Sequence, residues 1–153
     1  MSLRERIQED TTAAMRSGDV LRRDVLRMAS NAAYNLEKQQ QRDLTEDELI
    51  GVLTREVKQR RESIEAYRAG GREDLATREE AELEILTEYL PEPLTEEQLD
   101  QLVAEGIAAT GSATPRDLGK VMGWLAPRTR GRADGKVVSA KVAAALADSE
   151  RSA

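Results

Sequence analysis

The chain has 153 residues, of which 39% are hydrophobic, so it can bury the core of one modest domain or two small ones. It contains no cysteine and no histidine, which excludes disulfides, thiolate or imidazole metal sites, and catalysis by either side chain. The net charge of −6 argues against nonspecific binding of a polyanion by the molecule as a whole. No apolar run reaches the roughly 20 residues that a membrane-spanning helix needs, and no apolar leader is seen, so we expect a cytoplasmic protein without membrane partners.

Helical periodicity runs along the whole chain, and no segment alternates with the two-residue period of a strand. The sequence therefore predicts an all-α protein of seven helices. Gly18 and Gly111 are placed to end the first and fifth helices, because glycine readily adopts the left-handed conformation of a helix end. Three helix starts carry a capping box, in which two side chains satisfy free backbone amides. These boxes are Ser2 with Glu5, Thr45 with Glu48, and Thr95 with Gln98.

The segment Pro91-Glu92-Pro93 predicts a domain boundary, because proline lacks an amide donor and restricts the residue before it. We expect an N-terminal four-helix bundle over residues 1–91 and a C-terminal three-helix bundle over residues 94–150. The fourth helix is predicted to cover Glu73 to Leu90.

In the C-terminal part, Thr114 and Pro115 are typical of a helix start, with proline at the first helical position. The sixth helix is predicted to stop before Pro127. Asp134 is predicted to cap the seventh helix.

Charge is distributed unevenly along the chain. Residues 1–92 hold 15 basic and 21 acidic side chains, whereas residues 93–153 hold 8 of each. Within the second part, residues 113–141 combine seven basic with two acidic side chains, a local net charge of +5. The basic residues are Arg116, Lys120, Arg128, Arg130, Arg132, Lys136 and Lys141. An acidic protein therefore carries one basic, glycine-rich segment.

Several motifs in order along the chain resemble the GatB/YqeY family, and in particular its free-standing YqeY-like members. The C-terminal motifs are Gly119-Lys120-Val121-Met122-Gly123, Pro127, and Gly131 through Val138. The earlier motifs are Val25 through Met28, Glu56 through Arg60, Gly71 through Leu75, and Glu80 through Leu86 followed by Tyr89-Leu90-Pro91. The resemblance covers nearly the whole chain.

This resemblance implies two helical bundles, one of four helices and one of three. It also implies similarity to the tail of the B subunit of the tRNA-dependent amidotransferase, which converts Glu or Asp mischarged on a tRNA into Gln or Asn. In that enzyme the tail contacts the tRNA body, while the chemistry takes place in other domains and another subunit. The family label, carbon–nitrogen ligase with glutamine as amido-nitrogen donor, is therefore expected to apply only to the larger complex.

No catalytic residue, metal site or cofactor is predicted for this chain. Amide transfer needs a nucleophile that frees ammonia from glutamine and a site that phosphorylates a carboxyl group. The sequence has no cysteine, no Ser/Lys cluster in a Gly- and Ser-rich loop, and no phosphate-binding loop motif. We therefore expect a protein that is not itself an enzyme.

The leading hypothesis is an accessory module that binds tRNA through residues 113–141. Arginine presents a planar fork of donors that suits phosphate, and lysine adds a point charge. The alternative is a solvated loop whose charges keep an acidic protein soluble. The candidate RNA-binding residues are Lys120, Arg128, Arg130, Arg132 and Lys136.

The glycines and the tryptophan of this segment each have two interpretations. Gly119 and Gly123 lie four residues apart on one helix face, where close helix packing is favoured over approach of a ligand. Gly131 and Gly135 are predicted to be turn and cap glycines. Trp124 is favoured as a packing residue, and stacking on an exposed base is the alternative.

The competing function is a protein adaptor that docks on an aminoacyl-tRNA synthetase or an amidotransferase subunit through the acidic face of the fourth helix. A solvated helix face is the simpler interpretation of the same run of charges. The acidic residues are Glu79, Glu80, Glu82, Glu84 and Glu88.

Overall fold

The computed structural model describes residues 1–152 and confirms that the protein is all-α. This range contains seven α-helices and one short 3-10 helix, and it contains no strand. The α-helices are α1 (Leu3–Ser17), α2 (Val20–Gln40), α3 (Glu46–Ala69), α4 (Glu73–Thr87), α5 (Glu96–Thr110), α6 (Leu118–Thr129) and α7 (Gly135–Ser152). The 3-10 helix covers Pro115–Asp117, directly before α6.

The predicted helix signals operate as the sequence indicates. All three capping boxes are formed, and in each the hydroxyl accepts from the amide three residues later. Gly18 and Gly111 end α1 and α5 with φ of +78° and +64°, in the left-handed region where a side chain is disfavoured. Asp134 caps α7, since its carboxylate accepts from the Lys136 amide at 2.8 Å.

The chain divides into two compact units, Met1–Pro91 and Glu92–Ala153. In the first unit, α1 to α4 bury one apolar cluster, whose most enclosed members are Leu26, Leu53 and Leu86. Tyr89 lies in the same cluster, and its hydroxyl donates to Asp10 Oδ2 at 2.6 Å. Burial and this hydrogen bond raise the pKa of Tyr89 to about 12.

The fourth helix is shorter than predicted. It ends at Thr87, and the next three amides donate to carbonyls three residues back, so the chain turns more tightly before Pro91. Arg22 fixes this turn, because its guanidinium pairs with Glu88 at 2.6 Å. The prediction of a helix through Leu90 was therefore too long by one turn.

A buried arginine joins α3 to α4 in the first unit. Arg60 is only 4% exposed, and its guanidinium pairs with Glu56 at 2.8 Å and with Glu82 at 3.3 Å. Its Nη2 also lies 3.9 Å from the sulfur of Met28 on α2. Burial and the neighbouring Glu82 raise the pKa of Glu79 on the same helix.

The second unit buries a separate apolar cluster between α5, α6 and α7. Its fully enclosed members are Val121, Leu125, Val142 and Leu146. The prediction that the sixth helix stops before Pro127 was wrong, because α6 continues to Thr129. The proline removes one amide donor within the last turn, and the following backbone still bonds, with the Arg130 amide donating to Ala126 at 3.1 Å.

Candidate nucleic-acid interface

Four of the eight basic residues of the second unit lie where α6 gives way to α7. We call residues 128–136 the α6–α7 corner. Gly131, predicted to be a turn glycine, has φ of +74°, the left-handed conformation that glycine favours. The amides of Arg132 and Ala133 both donate to the Thr129 carbonyl, at 2.9 and 3.0 Å. These bonds close the corner into a tight turn.

Four of the five candidate RNA-binding residues lie in this corner. Arg128 is in the last turn of α6, Arg130 is its C-cap, and Lys136 is the second residue of α7. These three residues are exposed, whereas Arg132 is half-buried. The four cations therefore follow each other closely along the chain, on both sides of one tight turn.

Arg132 has a structural task that the sequence did not indicate. Its Nε donates to the Glu92 carbonyl at 2.9 Å, and its own carbonyl accepts from the Leu94 amide at 2.9 Å. These bonds hold the segment that leads into α5 against the corner. Arg132 is therefore both a cation of the corner and a part of its framework.

The other cations of residues 113–141 do not join the corner. Lys120 lies in the first turn of α6, eight residues before Arg128, which corresponds to about 12 Å along the helix axis. Lys141 pairs with Asp100 at 2.7 Å and with Glu96 at 3.3 Å, and these carboxylates of α5 raise its pKa. Lys141 therefore adds little to the local charge of +5, because carboxylates outside residues 113–141 neutralise it.

Trp124 packs against α5, and it also supports an arginine. It lies beside the apolar cluster of the second unit, next to Gly106. A Cβ on Gly106 would come within 2.9 Å of the indole Cε3, so any larger residue would force the ring to move. The Arg128 guanidinium lies over the indole, 3.7 Å from its centroid, and Nη1 donates to the Trp124 carbonyl at 2.5 Å.

The other predicted glycines of residues 113–141 do not pack helices against each other. A Cβ on Gly119 or Gly123 would meet no atom within 4 Å, and both residues are exposed. The favoured packing interpretation was therefore wrong, because α6 buries its opposite face. Gly135 is the first residue of α7 and has no left-handed φ, so Asp134 supplies the cap instead. The glycine that does allow close packing is Gly106, which the sequence analysis missed.

Within residues 1–152, no group of three or more His, Cys, Asp or Glu is placed to hold a metal ion. In the same range, no helix is both long and apolar enough to cross a membrane.

Comparison with known proteins identifies the family. The family described as "Yqey-like protein" matches residues 4–146. The chain belongs to this family. A similar protein is "Altered inheritance of mitochondria protein 41, mitochondrial" of Pyrenophora tritici-repentis, 31% identical over 140 residues that cover 90% of this chain and 77% of the relative. The protein of the same name from Lachancea thermotolerans is 29% identical over 143 residues, covering 89% of this chain and 76% of the relative.

These relatives correct the expectation of a cytoplasmic protein. Both are named as mitochondrial proteins, which contradicts that expectation. The expectation rested on the lack of an apolar leader, and such a lack does not determine the compartment, because mitochondrial targeting segments are amphipathic rather than continuously apolar.

Proposed function

We propose that this member of the YqeY-like family is a non-catalytic accessory module that binds tRNA through the α6–α7 corner. The observation that carries the proposal is the grouping of Arg128, Arg130, Arg132 and Lys136 around one tight turn. We propose tRNA rather than another polyanion because the sequence is similar to the tail of the amidotransferase B subunit.

The electrostatics of the corner favour an anion. Residues 118–147 contain a single acidic side chain, Asp134. Its carboxylate is engaged by the Lys136 amide, so it contributes to the helix cap. The N-terminus of α7 adds partial positive charge beside the same cations. A phosphate backbone approaching this turn therefore meets a stretch of chain with four cations and one acidic side chain, although the molecule as a whole is acidic.

The adaptor hypothesis has weaker support in the first unit. Glu73 and Glu80 pair with Arg68, and Glu82 pairs with Arg60. Two carboxylates of the acidic face, Glu80 and Glu82, are therefore engaged within the unit, although each shares its arginine with a second carboxylate. A synthetase or amidotransferase subunit as partner remains the alternative, and glutamine-dependent ligase activity is proposed only for such a complex.

We also propose that the two compact units are the expected domains, a four-helix bundle over residues 1–91 and a three-helix bundle over residues 94–150. Separate apolar clusters in the two units support this division. Limited proteolysis tests it. Cleavage near Pro93 that leaves two helical fragments would agree, whereas unfolding of both fragments after cleavage would contradict it.

Charge reversal tests the RNA proposal. The variant Arg128→Glu/Arg130→Glu/Lys136→Glu spares Arg132, whose side chain supports the turn. The matched control reverses three exposed cations of α3, Arg55→Glu/Lys58→Glu/Arg61→Glu. In a filter-binding titration of tRNA, the corner variant should lose most of its affinity at low salt and the control should lose far less. Absence of tRNA binding by the unmodified protein, or equal losses in both variants, would refute the proposal.

A further inference from the structure

The stacked pair of Arg128 and Trp124 indicates which part of an RNA the corner binds. We propose that this pair is a shelf for an unpaired base, so that the corner selects a loop or single-stranded segment over a continuous duplex. The inference rests on the proposed function and narrows its ligand.

The guanidinium of Arg128 lies over the indole ring of Trp124. Its central carbon lies 3.7 Å from the centroid of the indole ring, a separation typical of direct stacking. The hydrogen bond from Nη1 to the Trp124 carbonyl fixes its position along the helix. Arg128 as a whole is exposed, so the guanidinium plane remains accessible from the solvent side.

The support under the guanidinium is itself fixed. Trp124 lies against Gly106 on α5, and the absence of a side chain at Gly106 lets the indole approach the backbone of that helix. The neighbouring Val121 is fully buried in the same cluster. The shelf is therefore built on the core of the second unit and is ordered before any ligand arrives.

This geometry suits a base better than a phosphate. A phosphate is bound through the donor edge of arginine, and one of those donors is already engaged by the Trp124 carbonyl. A nucleobase is bound through the flat face, as in RNA recognition where splayed bases stack on aromatic rings or guanidinium planes. Bases inside a duplex are stacked on each other and cannot reach the shelf, whereas loop bases can.

Two RNAs of equal phosphate count separate base stacking from phosphate attraction. One is a hairpin with a purine-rich loop, and the other is a fully paired duplex. Aromatic stacking of one base corresponds to about 5-fold to 150-fold in affinity. We expect the unmodified protein to bind the hairpin at least about 5-fold more tightly, measured by anisotropy of labelled RNA at one salt concentration.

Arg128→Lys keeps the charge and removes the plane. This variant should bind the hairpin and the duplex with similar affinities, so that the ratio between them falls to about one. Arg116→Lys is the matched control, because Arg116 is exposed in the same unit and is not stacked on a ring within the described residues. It should keep the preference. As an independent readout, the hairpin should quench the fluorescence of Trp124, the only tryptophan, more strongly than the duplex does.

The possible results are distinct. If the protein binds both RNAs equally, or if Arg128→Lys retains the preference, the shelf is refuted while tRNA binding through the corner stands. If the protein binds neither RNA at low salt, the proposed function fails, and this inference fails with it.

Discussion

Replacement of Gly106 by alanine should destabilise the second unit, although alanine is the better helix former. Relief of glycine's backbone entropy in a helix gains about 0.5–1 kcal/mol. At position 106, however, the new methyl carbon would lie 2.9 Å from the Trp124 ring. Optimal carbon–carbon separation is about 3.5–4.0 Å, so the ring must move by roughly 0.6 Å or more. Such overpacking costs about 1–3 kcal/mol, which outweighs the helix gain.

Gly123→Ala is the matched control in the same unit. Gly123 lies inside α6, has no positive φ, and would place its methyl group where no atom lies within 4 Å. This variant should stabilise the unit by about 0.5–1 kcal/mol. Because both substitutions share the helix gain, the difference between the two variants isolates the packing cost and should be about 1–3 kcal/mol.

Urea denaturation followed by tryptophan fluorescence measures this difference directly. Trp124 is the only tryptophan and lies in the second unit, so its signal reports the unfolding of that unit even where the first unit unfolds separately. The native emission of Gly106→Ala should also shift, because the indole is displaced. Equal stability of the two variants would refute the packing argument and with it the rigid support that we assign to Arg128.

Three further predictions concern the first unit. Arg60→Ala should lower the free energy of unfolding by about 3–5 kcal/mol, because it leaves two carboxylates without their cation. The exposed Arg61→Ala should change it by less than about 0.5 kcal/mol. Similar urea midpoints for the two variants, measured by circular dichroism, would contradict this prediction. Because the pKa of Tyr89 is raised to about 12, the stability that its neutral form provides below pH 10 should be lost as pH rises from 10 through 12. Tyr89→Phe should remove the late step from the tyrosinate absorbance titration. An unchanged titration would contradict this prediction. The side chain of Arg42 and a backbone amide lower the pKa of Glu48 to about 2, so the stability that its carboxylate provides should be present above pH 4.5 and lost as pH falls toward 2. Glu48→Gln should make the free energy of unfolding less dependent on pH in this range. An identical pH dependence in the two proteins would contradict this prediction.

Local features of the sequence were sufficient to predict most of the helices. The Thr95 box depends on residues within one turn, and so does the left-handed Gly18. Pro127 shows the limit of such reasoning. A proline in the last turn costs one hydrogen bond, and α6 packs on both sides of it, with Leu125 and Thr129 buried.

The candidate site was only partly predictable, because its character depends on contacts between distant residues. The sequence placed Lys141 in the basic segment, but its partners Asp100 and Glu96 lie more than 40 residues away. The approach of Trp124 to Gly106 likewise joins two helices, and no local pattern indicates it. The distribution of charge along the sequence identified the basic segment, whereas packing between helices determines which of its cations are paired with carboxylates.

The salt dependence of tRNA binding tests the central claim most directly. Each phosphate neutralised contributes about −0.9 on duplex DNA, and about −0.7 on single strands, to the slope of the logarithm of the binding constant against the logarithm of salt concentration. Arg130, Arg132 and Lys136, the cations of the corner that are not assigned to a base, therefore predict a slope near −2 to −3. Its magnitude should fall by about one in Lys136→Gln and stay unchanged in Lys141→Gln, whose charge α5 already neutralises. Binding that does not respond to salt, or an equal change of slope in both variants, would contradict the assignment of the α6–α7 corner as the RNA-binding surface.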